Sequence, residues 1–109
     1  MNSEQFNIVV TKARERQDEL LVRKGADYTR HSEDRLSNFK RNAEAIGLTP
    51  FQIWAVYAGK HWDAIMAFIK TGKTESEAIE GRLDDLVNYL YLLEALILDR
   101  PSGDSSKSS

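Results

Sequence analysis

The stretch TPFQIWAVYAGKHWDAIMAFIK, Thr49 to Lys70, decides the fold class. It opens with threonine at an N-cap position, proline at the first helical position and glutamine at the capping-box position. It runs on without another proline and stops before Gly72. Its valine, isoleucine, tyrosine and phenylalanine residues would suit a strand. Nowhere in the chain, however, do such residues alternate with period two over a bounded run, so the stretch reads as one long helix.

Working outward, the same punctuation recurs. Upstream, Ser32 is the expected N-cap of a second helix, with Glu33 and Asp34 in its first turn, where acids suit the helix dipole. Leu36, Phe39, Ala43 and Ile46 form its apolar stripe and Gly47 ends it. Before that, Phe6, Val9, Val10, Ala13, Gln17, Leu20 and Leu21 recur at helical spacing from about Ser3 to Lys24, and Gly25 stands where a helix C-terminal glycine belongs. Downstream, Thr74-Glu75-Ser76-Glu77 is a second capping box, opening a last helix that reaches about Leu98 and halts before Pro101. The expectation is an all-α fold: a four-helix, bundle-like single domain over residues 1–100, followed by a flexible polar tail, 101–109.

The last helix is more apolar than a surface helix needs. Leu83, Leu86, Leu90, Leu93 and Ile97 form one stripe, while Ile79, Val87, Tyr91 and Leu98 lie elsewhere around it. Two apolar faces imply self-association through this helix into a homo-oligomer, or else a helix central to the bundle.

A chain of 109 residues that is 41% apolar can bury one modest core. A net charge of −2 argues against a general affinity for nucleic acid or anionic membranes. The absence of cysteine removes disulfides and thiolate metal sites. No apolar run is long enough for a membrane span, and the N-terminus MNSEQF has no signal-like apolar region, so the expected location is cytoplasmic.

Three polar clusters are candidates for chemistry. The first lies in KGADYTRHSEDRLSNFKRN, Lys24 to Asn42. Lys24, Arg30, Arg35, Lys40 and Arg41 can donate to phosphate oxygens. Tyr28 and Phe39 offer rings on which a base can stack, and Asn38 and Asn42, one turn apart, can read a base edge. Composition alone makes this segment a solvated loop and helix face. The second cluster is Lys60-His61-Trp62-Asp63, preceded by Gly59 in mid-helix, where a glycine often marks a close approach. A histidine between tryptophans is usually a satisfied core residue. The third comprises Arg82, Asp84, Asp85 and Asn88, with Glu77 and Glu80 upstream. Its acids can hold Mg²⁺ or pair with Lys60, Arg82, Arg14 or Arg16.

The runs K-G-x-D-Y (Lys24 to Tyr28), S-N-F-K-R-N (Ser37 to Asn42), K-H-x-D (Lys60 to Asp63) and D-D-L-x-N-Y-L (Asp84 to Leu90) resemble small phage-encoded helical proteins of the nucleotide-modification-associated, MazG-like group. The likeness covers about residues 20 to 98 and implies a helical, nucleotide-related protein in the cytoplasm of an infected bacterium. The helical pyrophosphatases of that group share E-E-x-x-E on one helix and E-x-x-D on a later one. Here Glu80, Asp84 and Asp85 match the later motif only in part, at spacing four and five, and the earlier motif is absent. Water attack on a phosphoanhydride through Mg²⁺ needs several convergent carboxylates. In character, the chain is also similar to small phage proteins that sequester immune signalling nucleotides.

The resulting expectation is a homo-oligomeric protein that sequesters a phosphorylated nucleotide ligand without turning it over and without a cofactor. Lys24, Arg30, Arg35 and Arg41 would neutralise phosphates; Tyr28, Phe39 or Trp62 would stack the base; Asn38, Asn42 and Asn88 would read polar edges; Lys60 and His61 would reach in from the third helix. One alternative is a divergent Mg²⁺-dependent pyrophosphohydrolase using Glu80, Asp84, Asp85 and Asp63. Another is a protein–protein adaptor built on the apolar last helix.

Overall fold

The computed structural model describes residues 1–28, 34–74 and 77–101, and for 25–28 the backbone alone; over these residues it is all-helical. In chain order the elements are α1 (Ser3–Tyr28), α2 (Ser37–Ile46), α3 (Pro50–Thr71) and α4 (Ile79–Asp99).

Helix α3 forms as its sequence dictates. The Thr49 hydroxyl accepts from the Gln52 backbone N–H at 3.1 Å, and Gln52 Oε1 accepts from the Thr49 N–H at 2.8 Å, so the capping box closes in both directions. Gly72 ends the helix in the left-handed region (φ 75°), with its N–H donating to the Phe68 carbonyl at 2.7 Å. Gly47 ends α2 in the same way (φ 72°).

Three expected boundaries move. Helix α1 continues through Gly25 to Tyr28, because a glycine that keeps helical φ and ψ weakens a helix without stopping it. The proposed cap at Ser32 and Glu33 lies outside the described residues; α2 begins at Ser37, after a turn in which Asp34 Oδ1 accepts from the Leu36 N–H at 2.9 Å. Helix α4 begins at Ile79 instead of near Thr74. Glu75 and Ser76 lie outside the described residues, and the Glu77 carboxylate receives the Arg82 guanidinium at 2.9 Å.

The core joins Leu36, Phe39 and Ala43 of α2, Ile53 of α3, and Leu92 and Leu96 of α4. Trp54 Nε1 donates to the Tyr89 carbonyl at 2.6 Å, while seven residues later His61 meets Arg82, so α3 and α4 run antiparallel. Helix α1 docks on α4 through Arg16, whose guanidinium grips Asp84 at 2.8 and 3.2 Å, and through buried Leu20 and Gln17. The first two turns of α1 carry their apolar face outward: Phe6 and Val9 are both about half exposed.

Around α4, the positions that meet α1 (Gly81, Asp84) adjoin the core positions Leu92 and Leu96. Of the stripe Leu83, Leu86, Leu90, Leu93 and Ile97, Leu83 and Leu90 are exposed and the other three are partly buried. Helix α3 thus packs on both α2 and α4, and α1 packs on α4. No helix of the described residues is long and apolar enough to cross a membrane.

Candidate functional site

Two polar clusters emerge, joined by one aromatic ring. The first is a seam between α2 and α3. Asn38, Arg41 and Asn42 stand at i, i+3 and i+4 on α2, and therefore on one face. Asn38 Oδ1 accepts from Arg41 Nη2 at 3.1 Å and from Asn42 Nδ2 at 3.3 Å. Asn42 Nδ2 also donates to the Tyr57 hydroxyl on α3 at 3.0 Å. One turn on, Lys60 Nζ sits 5.7 Å from the centroid of the Tyr57 ring, within cation–π range. These bonds engage the carbonyl of Asn38 and the amide nitrogen of Asn42. Among the described residues, the amide nitrogen of Asn38 and the carbonyl of Asn42 have no partner, a donor and an acceptor such as a base edge requires. Neither Arg41 nor Lys60 forms an ion pair among the described residues; Glu44 and Asp63 stand one turn along on the same helices.

The second cluster lies where the C-terminal half of α1 meets α4 and α3. A cleft of about 330 Å³ between α1 and α4 is lined by Arg16, Arg23 and Lys24 and by Glu19, Glu77, Asp84 and Asp85. Four acids against three cations leave it no attraction for a bare phosphate. At its edge His61 is largely buried on α3, with Nδ1 3.3 Å from Arg82 Nη1 and 3.7 Å from Asp85 Oδ2. Burial pushes the imidazole below its usual pKa; Asp85 works against the shift, and Arg82 and, more weakly, Lys24 add to it. The ring is therefore neutral near pH 7, and Nδ1 accepts from Arg82. Tyr89 connects the clusters, its ring centroid 5.2 Å from His61 and 6.3 Å from Phe39.

Of the expected site residues, Asn38, Arg41, Asn42 and Lys60 come together in the seam. Lys24 and His61 belong to the α1–α4 cluster instead. Arg35 is exposed. Arg30 and the side chain of Tyr28 lie outside the described residues. Two of the expected residues are buried. Phe39 is 3% exposed, held between Tyr57 and Tyr89 in the core, because it belongs to the apolar stripe of α2. Asn88 is 2% exposed on the buried face of α4, and its Oδ1 has no hydrogen-bond partner among the described residues. Lys40 is committed to Asp34 at 2.6 Å and Asp99 at 2.7 Å. Trp62 is half exposed on a different face of α3 from Tyr57 and His61.

The acids of the enzyme alternative are dispersed. Asp84 is gripped by Arg16, Asp85 turns toward His61, Glu80 is exposed, and Asp63 lines a separate depression with Arg82. Among the described residues no three His, Asp or Glu side chains gather as metal ligands would. Tyr57 and Tyr89 were missed by sequence reasoning. The available signal was spacing: Tyr57 precedes Lys60 and His61 by three and four residues and so shares their side of the helix.

The chain matches no family model, no curated protein and no solved structure.

Proposed function

We propose that this protein binds a phosphorylated nucleotide ligand at the α2–α3 seam and holds it without turnover. The observation that carries this reading is the set Asn38, Asn42 and Tyr57 flanked by Arg41 and Lys60, with no carboxylate among them. The two amides supply a donor and an acceptor for a base or ribose edge, and the two cations supply charge-assisted bonds to phosphate. Among the described residues, no carboxylate or imidazole is hydrogen-bonded into the seam, which favours binding over hydrolysis. The resemblance of S-N-F-K-R-N and K-H-x-D to phage nucleotide-related proteins points to the same ligand class. Signalling nucleotides of bacterial immunity are the first members of that class to try.

A second reading is a Mg²⁺-dependent pyrophosphohydrolase at the α1–α4 cleft, which four acids line, although among the described residues they do not gather as metal ligands would. One experiment separates the two. The purified protein is incubated with linear and cyclic nucleotides, with and without Mg²⁺, then filtered, denatured and analysed by mass spectrometry. An intact nucleotide recovered from the native protein, and lost in Asn42→Ala and Lys60→Ala, is the expected result. Mono- and diphosphate products that appear with Mg²⁺ alone overturn it in favour of the cleft. No retention and no turnover overturn both.

A further inference from the structure

The cleft between α1 and α4 has walls of opposite charge. Glu77, Asp84 and Asp85 line it on the α4 side, and Arg16, Arg23 and Lys24, together with Glu19, on the α1 side. Two of these charges are closed within the chain: Arg16 holds Asp84, and Glu77 receives Arg82. Arg23 and Lys24 form no ion pair among the described residues, and Glu19 stands one turn before Arg23. Asp85 accepts no hydrogen bond among them either: His61 Nδ1 is 3.7 Å away and itself accepts from Arg82.

Two buried amides belong to the same walls. The Asn88 carbonyl, on a residue 2% exposed, has no hydrogen-bond partner among the described residues. Asn88 follows Asp85 by three residues and Asp84 by four, so the three share one side of α4. Side chains on a helix lean toward its N-terminus, which carries the Asn88 amide over the turn that lines the cleft. On α1, Gln17 is 7% exposed and stands beside Arg16 and one turn before Leu20, both in the cleft wall. Its Nε2 is likewise without a partner among the described residues. A buried acceptor on one wall and a buried donor on the other are costly to leave unmet, and they call for a ligand that offers both a donor and an acceptor.

The charges narrow its chemistry. A simple cation would be repelled by Arg23 and Lys24, and a simple anion by Asp85. Among the described residues no three His, Asp or Glu side chains gather to cage a metal ion. A volume of about 330 Å³ lies at the small end of ligand pockets, which begin at ~300 Å³. We propose that the cleft binds a small zwitterion, a molecule carrying an amino group and a carboxylate or phosphate. Its N–H groups go to Asp85 and Asn88, and its anionic group goes to Arg23, Lys24 and the Gln17 amide. The cleft shares no residue with the seam of Asn38, Asn42 and Tyr57, and the inference does not rest on the nucleotide reading.

Isothermal titration in EDTA tests it with phosphoethanolamine, glycine, glutamate and glutamine, and with ethanolamine and inorganic phosphate as the separate halves. At least one zwitterion is expected to bind about tenfold or more tightly than either half. Asp85→Asn and Lys24→Ala are each expected to weaken it about tenfold at unchanged helicity. No binding of any zwitterion up to about 10 mM overturns the proposal and leaves the two amides to water. Equal affinity for ethanolamine or phosphate alone overturns it in favour of a site for one charge, and binding that needs Mg²⁺ in place of EDTA overturns it in favour of the metal-dependent reading. Should Asp85→Asn lose helicity, Lys24→Ala carries the test, and full affinity in that variant places the ligand elsewhere.

Discussion

Asn42 on α2 and Tyr57 on α3 share a 3.0 Å hydrogen bond from the amide nitrogen to the phenol oxygen, and this bond ties the two walls of the seam together. Tyr57→Phe keeps the ring against Phe39 and Lys60 but removes the acceptor. A half-buried hydrogen bond of this kind contributes about 1 kcal/mol net, so a drop of that size is expected in denaturant unfolding. The released Asn42 amide should lose its orientation, weakening nucleotide affinity by about tenfold, the equivalent of roughly 1.4 kcal/mol. Ligand-induced stabilisation in a thermal melt reads this directly. A variant that melts lower yet is stabilised as much as the native protein would remove the seam from the site.

Arg16 on α1 grips Asp84 on α4 with two hydrogen bonds, at 2.8 and 3.2 Å. Asp84→Asn keeps the shape and removes the charge, so the fork is reduced to weaker neutral contacts. Amides of α1 should then exchange hydrogen faster, while those of α3 stay as protected as before. Nucleotide retention at the seam should persist. Loss of retention in Asp84→Asn, with α1 exchange unchanged, would instead put the ligand in the α1–α4 cleft.

His61 makes stability depend on pH in a defined direction. Its folded pKa lies below the ordinary value because burial disfavours the imidazolium. As pH falls, the unfolded chain therefore takes up the proton first. The contribution to stability is complete above about pH 6.5 and declines as pH drops from there to the folded pKa. Melting temperature should fall as pH drops below about 6.5, and His61→Gln should flatten that slope. A profile as steep in His61→Gln as in the native chain would assign the effect to another group.

The long elements were legible because their signals are local. The Thr49–Gln52 capping box and the αL glycines at 47 and 72 are fixed by side-chain chemistry within one turn, and all three appear where expected. Gly25 misled because a glycine permits a helix end without enforcing one. The candidate site was legible only in part. The i, i+3, i+4 set Asn38, Arg41 and Asn42 follows from helical period, but its partner Tyr57 depends on how α2 crosses α3, which no local pattern encodes. The leucine stripe of α4 was visible in the sequence, yet which way it faces depends on where α1 and α2 dock.

Phe39 puts the difference between a core residue and a ligand contact to the test. Its ring is 3% exposed, 6.1 Å from the Tyr57 centroid and 6.3 Å from that of Tyr89. Phe39→Ala leaves a cavity where α2, α3 and α4 meet and should cost about 3–5 kcal/mol, enough to unfold much of a small domain at 37 °C. Any loss of nucleotide in that variant says nothing about contact. Phe39→Leu is the informative change, because leucine refills most of the volume at about 1–2 kcal/mol and offers no aromatic face. A folded Phe39→Leu protein should bind nucleotide as tightly as the native chain, measured well below its melting temperature. If it folds but binds tenfold more weakly, the ring contacts the ligand and the core must open to admit it.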